Sequence, residues 1–193
     1  MPLLLGAGNG GGSDYYFQDA FTGTSGTNIS AHQPDIGLTW SSLAAGVVIL
    51  KGGKARSTNA DSIYVSSIGP KNYRIEVDIN PGGNNFTGVA FRVVAANSFY
   101  ILGADLAGLW TAWKQVAGVW SSLASTNGGA PSGGSTYHLD VRVEGSTYIL
   151  VVDGVERLSF VDTDHTTANN RFGIYNDYTD GTTMSQWDNF WVS

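Results

Sequence analysis

Hydrophobic positions recur with a period of two over most of this chain. In residues 72–95, NYRIEVDINPGGNNFTGVAFRVVA, Ile75, Val77 and Ile79 fall on one side of an extended segment, and Arg74, Glu76, Asp78 and Asn80 on the other. Strict alternation marks a strand with one face in a core and one in water. Pro81-Gly82-Gly83-Asn84-Asn85 stops that strand and turns the chain. Val89, Phe91 and Val93 then resume the inward series, with Arg92 outward. The pattern predicts that this strand pair organises the fold and that its outer face carries Glu76, Asp78 and Arg92, where ligand chemistry is expected.

Alternation elsewhere predicts strands over residues 15–21, 38–43, 47–50, 62–66, 98–103, 109–116, 119–125, 171–178 and 184–192. Residues 137–161 read as a three-strand meander. Leu139, Val141 and Val143 point inward, and tight turns fall at Gly145-Ser146 and Asp153-Gly154, the latter a typical two-residue hairpin dipeptide. No segment carries a helical period. About thirteen short strands punctuated by turns predict an all-β sandwich or barrel. Residues 1–13 differ from the rest: Leu3, Leu4 and Leu5 form an apolar tip on a glycine-rich tether. That segment reads either as a disordered terminus or as an arm packing against a partner protein, with the globular domain over residues 14–193.

Composition sharpens this picture. A length of 193 residues suits one domain with a substantial core. Only 13% of residues are charged, while there are 26 glycines, six Trp and nine Tyr, as expected for a turn-rich β protein. The net charge of -6 argues against nucleic acid and anionic membrane surfaces as partners, because both need a basic stripe. With no cysteine, disulfides and thiolate metal sites are excluded. No apolar run approaches the roughly 20 residues of a membrane helix. The start MPLLLGAGNGGG lacks the basic n-region and the roughly 7–15-residue apolar run of a signal peptide.

Four stretches together resemble the concanavalin A-like jelly roll, a two-sheet antiparallel sandwich, in its laminin-G-like branch. They are NYRIEVDINPGGNNFTGVAFR, NSFYILGADLAGLWTAWKQVAGVWSSLAS, TYHLDVRVEGSTYILVVDGVERLSFVD and NRFGIYNDYTDGTTMSQWDNFWVS. The fold hosts lectins, hydrolases, lyases and structural modules, so function must be argued from residues. Laminarinase-type hydrolases of the superfamily carry E-x-D-x-E on one strand face. The matching positions here are Glu76, Asp78 and Asn80, and an amide cannot act as general acid. No catalytic residue is assigned. The alternative for this face is a charge lattice of Arg74, Glu76, Asp78 and Arg92 across neighbouring strands.

Aromatics give a second signal, since apolar sugar faces stack on Trp and Tyr while hydroxyls bond nearby amides and carboxylates. Tyr100, Trp110, Trp113 and Trp120 lie on strands expected beside the central pair, and Tyr175, Asn176, Asp177 and Tyr178 cluster near the end. Most Trp in a sandwich fill its core, so only some of these serve as platforms. Glu76, Asp78, Arg92, Tyr100, Trp110, Lys114, Asn176 and Tyr178 are the expected glycan-contacting residues. No cofactor is required. The resemblance does imply a structural calcium held by Asp188 and, if first and last strands pair, Asp19.

The expected function is a non-enzymatic module that binds glycans through its concave sheet. A polysaccharide-active hydrolase or lyase, and a carbohydrate-binding module of a secreted protein, are the alternatives. A fold usually found outside cells, here without signal peptide or cysteine, fits release by assembly into a phage particle and lysis. The layout also resembles accessory decoration or fibre modules on phage virions. That places the protein on the virion surface, held to other virion proteins by the Leu3–Leu5 arm, facing host glycans and compatible with a homo-oligomer. The alternative location is extracellular.

Overall fold

The structure, a computed structural model, describes residues 15–58, 61–67, 71–83, 85–129, 131–165, 171–177 and 184–193. The arm residues Leu3, Leu4 and Leu5, and Tyr178, lie outside them. Two antiparallel sheets account for nearly all regular structure; a single 3-10 turn, Ile29–Ala31, is the one helical element among the described residues. One sheet runs in the order β13 (Val155–Val161), β12 (Thr147–Val152), β11 (Tyr137–Glu144), β6 (Tyr73–Asn80), β15 (Gln186–Val192), β4 (Ala55–Ser57) and β3 (Val48–Leu50), with β1 (Phe17–Asp19) also paired to β15. The other runs β10 (Val119–Thr126), β9 (Trp110–Val116), β8 (Ser98–Asp105), β7 (Phe86–Ala95), β14 (Arg171–Asp177), β5 (Ser62–Ser67) and β2 (Ser41–Ser42). Facing residues of the two sheets form one core, as an all-β sandwich requires.

The expected central hairpin is corrected. β6 and β7 belong to different sheets, so the turn that follows Pro81 carries the chain across the sandwich. Ile75, Val77 and Ile79 do face the core, as do Val89 and Phe91, but the two sets meet from opposite sheets. Period two fixes which side of a strand a residue occupies and leaves its neighbouring strand open.

A second correction concerns Arg92. The β7–β8 register shifts between Phe91 and Ala95, and Arg92 adopts φ +49°, the signature of a bulge that resets inside and outside. Arg92 is therefore fully buried. Its guanidinium carbon lies 5.6 Å from the Tyr73 ring centroid, Nη2 donates to the Gly145 carbonyl at 3.1 Å, and its backbone N–H donates to the Tyr73 hydroxyl. Burial, the largest influence on Tyr73, pushes its phenol up to about 12. Beyond the bulge, Val93 turns outward into a second apolar cluster with Phe86, Ala90, Phe99 and Ile101 on the outer face of the seven-stranded sheet.

The meander formed with the expected bounds. Asp153 and Gly154 both take positive φ, +50° and +78°, the conformation that lets a two-residue turn match strand twist. At the centre of the seven-stranded sheet, a Cβ on Gly173 would fall onto the Tyr64 carbonyl and one on Gly88 onto that of Leu102. Strand packing there requires glycine, which also leaves the outer face without side chains at those positions.

Candidate functional site

The outer face of the seven-stranded sheet gathers the exposed aromatics. On β9, Trp110 and Ala112 enter the core, so alternation turns Trp113 outward. On β14, Phe172 and Ile174 face inward, so Tyr175 and Asp177 face outward. Trp120 of β10 pairs with Gln115 and reaches the same side. Phe99 meets Trp120 edge-on at 5.6 Å between ring centroids and Tyr175 at 5.6 Å, while Phe86 closes on Tyr175 at 5.7 Å. Trp120 lies 6.2 Å from Tyr175 and remains 40% exposed. Its indole is thus packed against Phe99 and Tyr175 yet open to a ligand.

Phe86, Trp113, Trp120 and Tyr175 wall a cavity of about 300 Å³, with Ile101 in its lining and Asn85, Asp105 and Asp177 as its polar groups. Among the described residues, no Lys, Arg or His lines it. Burial raises the Asp177 carboxyl above the usual range and the neighbouring Asp61 charge raises it further; a bond from Asn85 opposes them, and a weaker bond with Asp61 adds to the rise. Burial also holds the Tyr175 phenol well above its ordinary value, helped by the charges of Asp177 and Asp61. Asp105 Oδ1 accepts the Leu109 N–H at 2.8 Å, which fixes its orientation. The result is an apolar wall beside a crowded, negative polar end.

Trp113, Trp120, Tyr175 and Asp177, all in the expected aromatic clusters, come together here. Most of the other candidate residues lie elsewhere. Glu76 and Asp78 occupy the outer face of the opposite sheet. Glu76 Oε1 pairs with Arg74 Nη2 at 3.0 Å; Asp78 contacts His138 Nδ1 at 2.8 Å and accepts from Asn189 Nδ2 at 2.9 Å. Asp140 takes both Arg74 and Arg142, so the charge lattice exists, with His138, Asp140 and Arg142 in place of Arg92. Asn80 Oδ1 accepts the N–H groups of Gly82 and Gly134 and serves the turn.

Tyr100 and Trp110 are core residues. The Trp110 indole donates to the Gly129 carbonyl at 2.9 Å, and the Tyr100 hydroxyl donates to Asp162. Lys114 Nζ pairs with Asp162 and Asp164, which ties β9 to the chain leaving β13 in the other sheet. Asn176, one step from Tyr175, faces inward and is fully buried, with neither side-chain atom hydrogen-bonded among the described residues. Asn85, Phe86, Ile101 and Asp105 carried no functional expectation. The signal for Ile101 and Asp105 was the odd parity they share with Phe99 on β8, and for Phe86 the even parity it shares with Ala90 on β7; Asn85, in the turn before β7, carried none.

Asp19 and Asp188, the residues of the implied calcium site, sit on different faces of their sheet. β1 does pair with β15, but Asn189 adopts φ +50° within a bulge that reverses the faces of β15. Asp188 points outward to Lys54 at 3.1 Å, whereas Asp19 is buried. The Asp19 oxygens accept from Trp40 Nε1 at 2.7 Å and the Phe21 N–H at 2.7 Å and contact His32 Nε2 at 2.9 Å. That set engages both carboxylate oxygens.

No family model matches the sequence, and no curated protein does. Solved structures match over most of the chain. A CBM66 carbohydrate binding module from Bacillus subtilis aligns with TM-score 0.69 at 20% identity, covering 80% of this chain and 94% of that one. The fold is a jelly-roll sandwich. The alginate lyase Aly36B, in complex with alginate tetrasaccharide, matches at TM-score 0.64 and 13% identity, over 92% of this chain and 96% of its own. The Caenorhabditis elegans galectin LEC-6 matches at TM-score 0.52 and 15% identity, over 67% and 89%. At these identities the likeness is one of fold, and its members include both binding modules and enzymes.

Proposed function

We propose that this protein is a non-catalytic glycan-binding module and that it binds at the cavity walled by Trp113, Trp120 and Tyr175. The observation that carries this is the juxtaposition of those rings with Asn85, Asp105 and Asp177 in one cavity of about 300 Å³. Rings offer stacking surfaces to the apolar faces of sugars, and carboxylates and amides accept or donate to their hydroxyls. The volume lies at the small end of ligand cavities, suited to one or two sugar rings of a longer chain. Carbohydrate-binding neighbours of the same fold support the reading.

A non-catalytic role is supported by the fate of the only hydrolase-like motif. Glu76, Asp78 and Asn80 lie on the sheet opposite the cavity, each engaged by Arg74, His138 or turn N–H groups. The setting we propose, from the sequence alone, is a virion surface with residues 1–13 as tether to other virion proteins. Its test is particle association after deletion of residues 1–12: loss supports the tether, and retention refutes it.

Binding to immobilised glycans tests the site. Trp120→Ala and Trp113→Ala are expected to lose at least tenfold in affinity, about 1.4 kcal/mol, while Glu76→Gln retains it. Retained affinity in both Trp variants, or loss in Glu76→Gln, would move the site to the other sheet. Cleavage of any glycan bound would replace the module with an enzyme.

A further inference from the structure

We infer that the glycan taken by this cavity is cationic: a sugar chain bearing free amines, of the glucosamine-polymer type. The inference rests on the glycan-binding reading and narrows its ligand class. Its basis is the balance of charge on the seven-stranded sheet. The strands of that sheet carry three cations, and each is engaged away from the cavity. Arg92 is buried against Tyr73, Lys114 is held between Asp162 and Asp164, and Arg171 donates to the carbonyls of Val93 and Val94. The anions are not dispersed in this way. Asp105 and Asp177 both line the cavity, and Asp61 stands against Asp177.

An anionic sugar entering here meets two carboxylates and no described positive partner. A neutral sugar needs only hydrogen-bonding groups, for which amides would serve without the repulsion that Asp61 and Asp177 exert on each other. An ammonium satisfies all the local features at once. It offsets that repulsion, forms charge-assisted hydrogen bonds with the carboxylates, and sits beside Trp113, Trp120 and Tyr175, whose faces attract cations. The sugar ring that carries the amine supplies the apolar face for stacking.

Calorimetry with four short oligomers decides the matter: β-linked glucosamine, its N-acetylated counterpart, a neutral glucan and a uronate, below the amine's pKa. Glucosamine oligomers are expected to bind at least tenfold more tightly than the other three, with affinity falling as salt is raised. Asp177→Asn is expected to weaken glucosamine binding about tenfold and flatten its salt dependence, while Glu76→Gln on the opposite sheet changes neither. Circular dichroism of each variant establishes that it is folded. Equal or tighter binding of the neutral, N-acetylated or uronate oligomer overturns the inference and leaves the glycan-binding reading intact. Failure of all four to bind overturns both.

Discussion

Replacing Asp19 with alanine removes the acceptor for two buried donors, the Trp40 indole N–H and the Phe21 backbone N–H. Trp40 is 2% exposed and packs edge-on against Phe17 and Phe190, so no water reaches the orphaned indole without opening the core. An unsatisfied buried donor costs about 1–3 kcal/mol, giving roughly 2–6 kcal/mol for the pair. Removal of a buried carboxylate returns part of this, and His32 is near enough to the surface to rehydrate. The expected loss is about 3 kcal/mol, or about 6–12 °C in Tm for a domain of this size. Urea unfolding followed by tryptophan fluorescence measures it. Asp188→Ala is the comparison, because that carboxylate pairs with Lys54 near the surface and should cost under about 1 kcal/mol. Comparable losses in the two variants, together with stabilisation of the wild type by calcium, would refute this assignment of Asp19 and restore a shared ion.

Further expectations concern pH and the Lys114 cluster. Burial would raise the Asp140 and Asp162 carboxyls, but the bonds from Arg74 and Arg142 to the one, and from Lys114 and Tyr100 to the other, leave both below the ordinary 3.8. Their contribution is present above that value and is lost as pH falls through the lowered ones, so urea midpoints should drop steeply in acid. Asp177 has the opposite sign: its raised carboxyl favours the folded state in acid, and that contribution fades as pH rises. Asp177→Asn should therefore raise the urea midpoint at neutral pH and leave it unchanged in strong acid; a lower midpoint at neutral pH contradicts the crowding with Asp61. Lys114→Met should cost roughly 1–2 kcal/mol by leaving Asp162 without its cation. Glycan affinity should remain unchanged, and a loss would return Lys114 to the binding site.

Strand positions were legible because alternation and turn residues agree, nowhere better than in the meander, where Asp153-Gly154 and Gly145-Ser146 pin the register. Sheet membership was not legible: Ile75 and Val89 obey the same rule whether their strands are neighbours or face each other across the core. Two bulges defeated the rest. At Arg92 and Asn189 a single residue with positive φ exchanges the faces of everything beyond it, and neither residue is a glycine that would announce it. The aromatic site was half legible for a related reason. Trp110 and Trp113 are three apart on one strand and so face opposite ways, and nothing local tells which one the core takes. Ala112 shares the face of Trp110 by parity, but that this face is the core side emerges only once β8 and β10 are in place.

The six indole N–H resonances of an isotope-labelled sample offer the most direct examination of the site. Titration with a bound glycan is expected to shift Trp113 and Trp120, which border the cavity. Trp40, Trp110 and Trp187 should stay still, their indoles hydrogen-bonded in the core to Asp19, Gly129 and Gly88. Shifts at Trp191, on a strand of the opposite sheet, with Trp113 and Trp120 unmoved, would contradict the assignment.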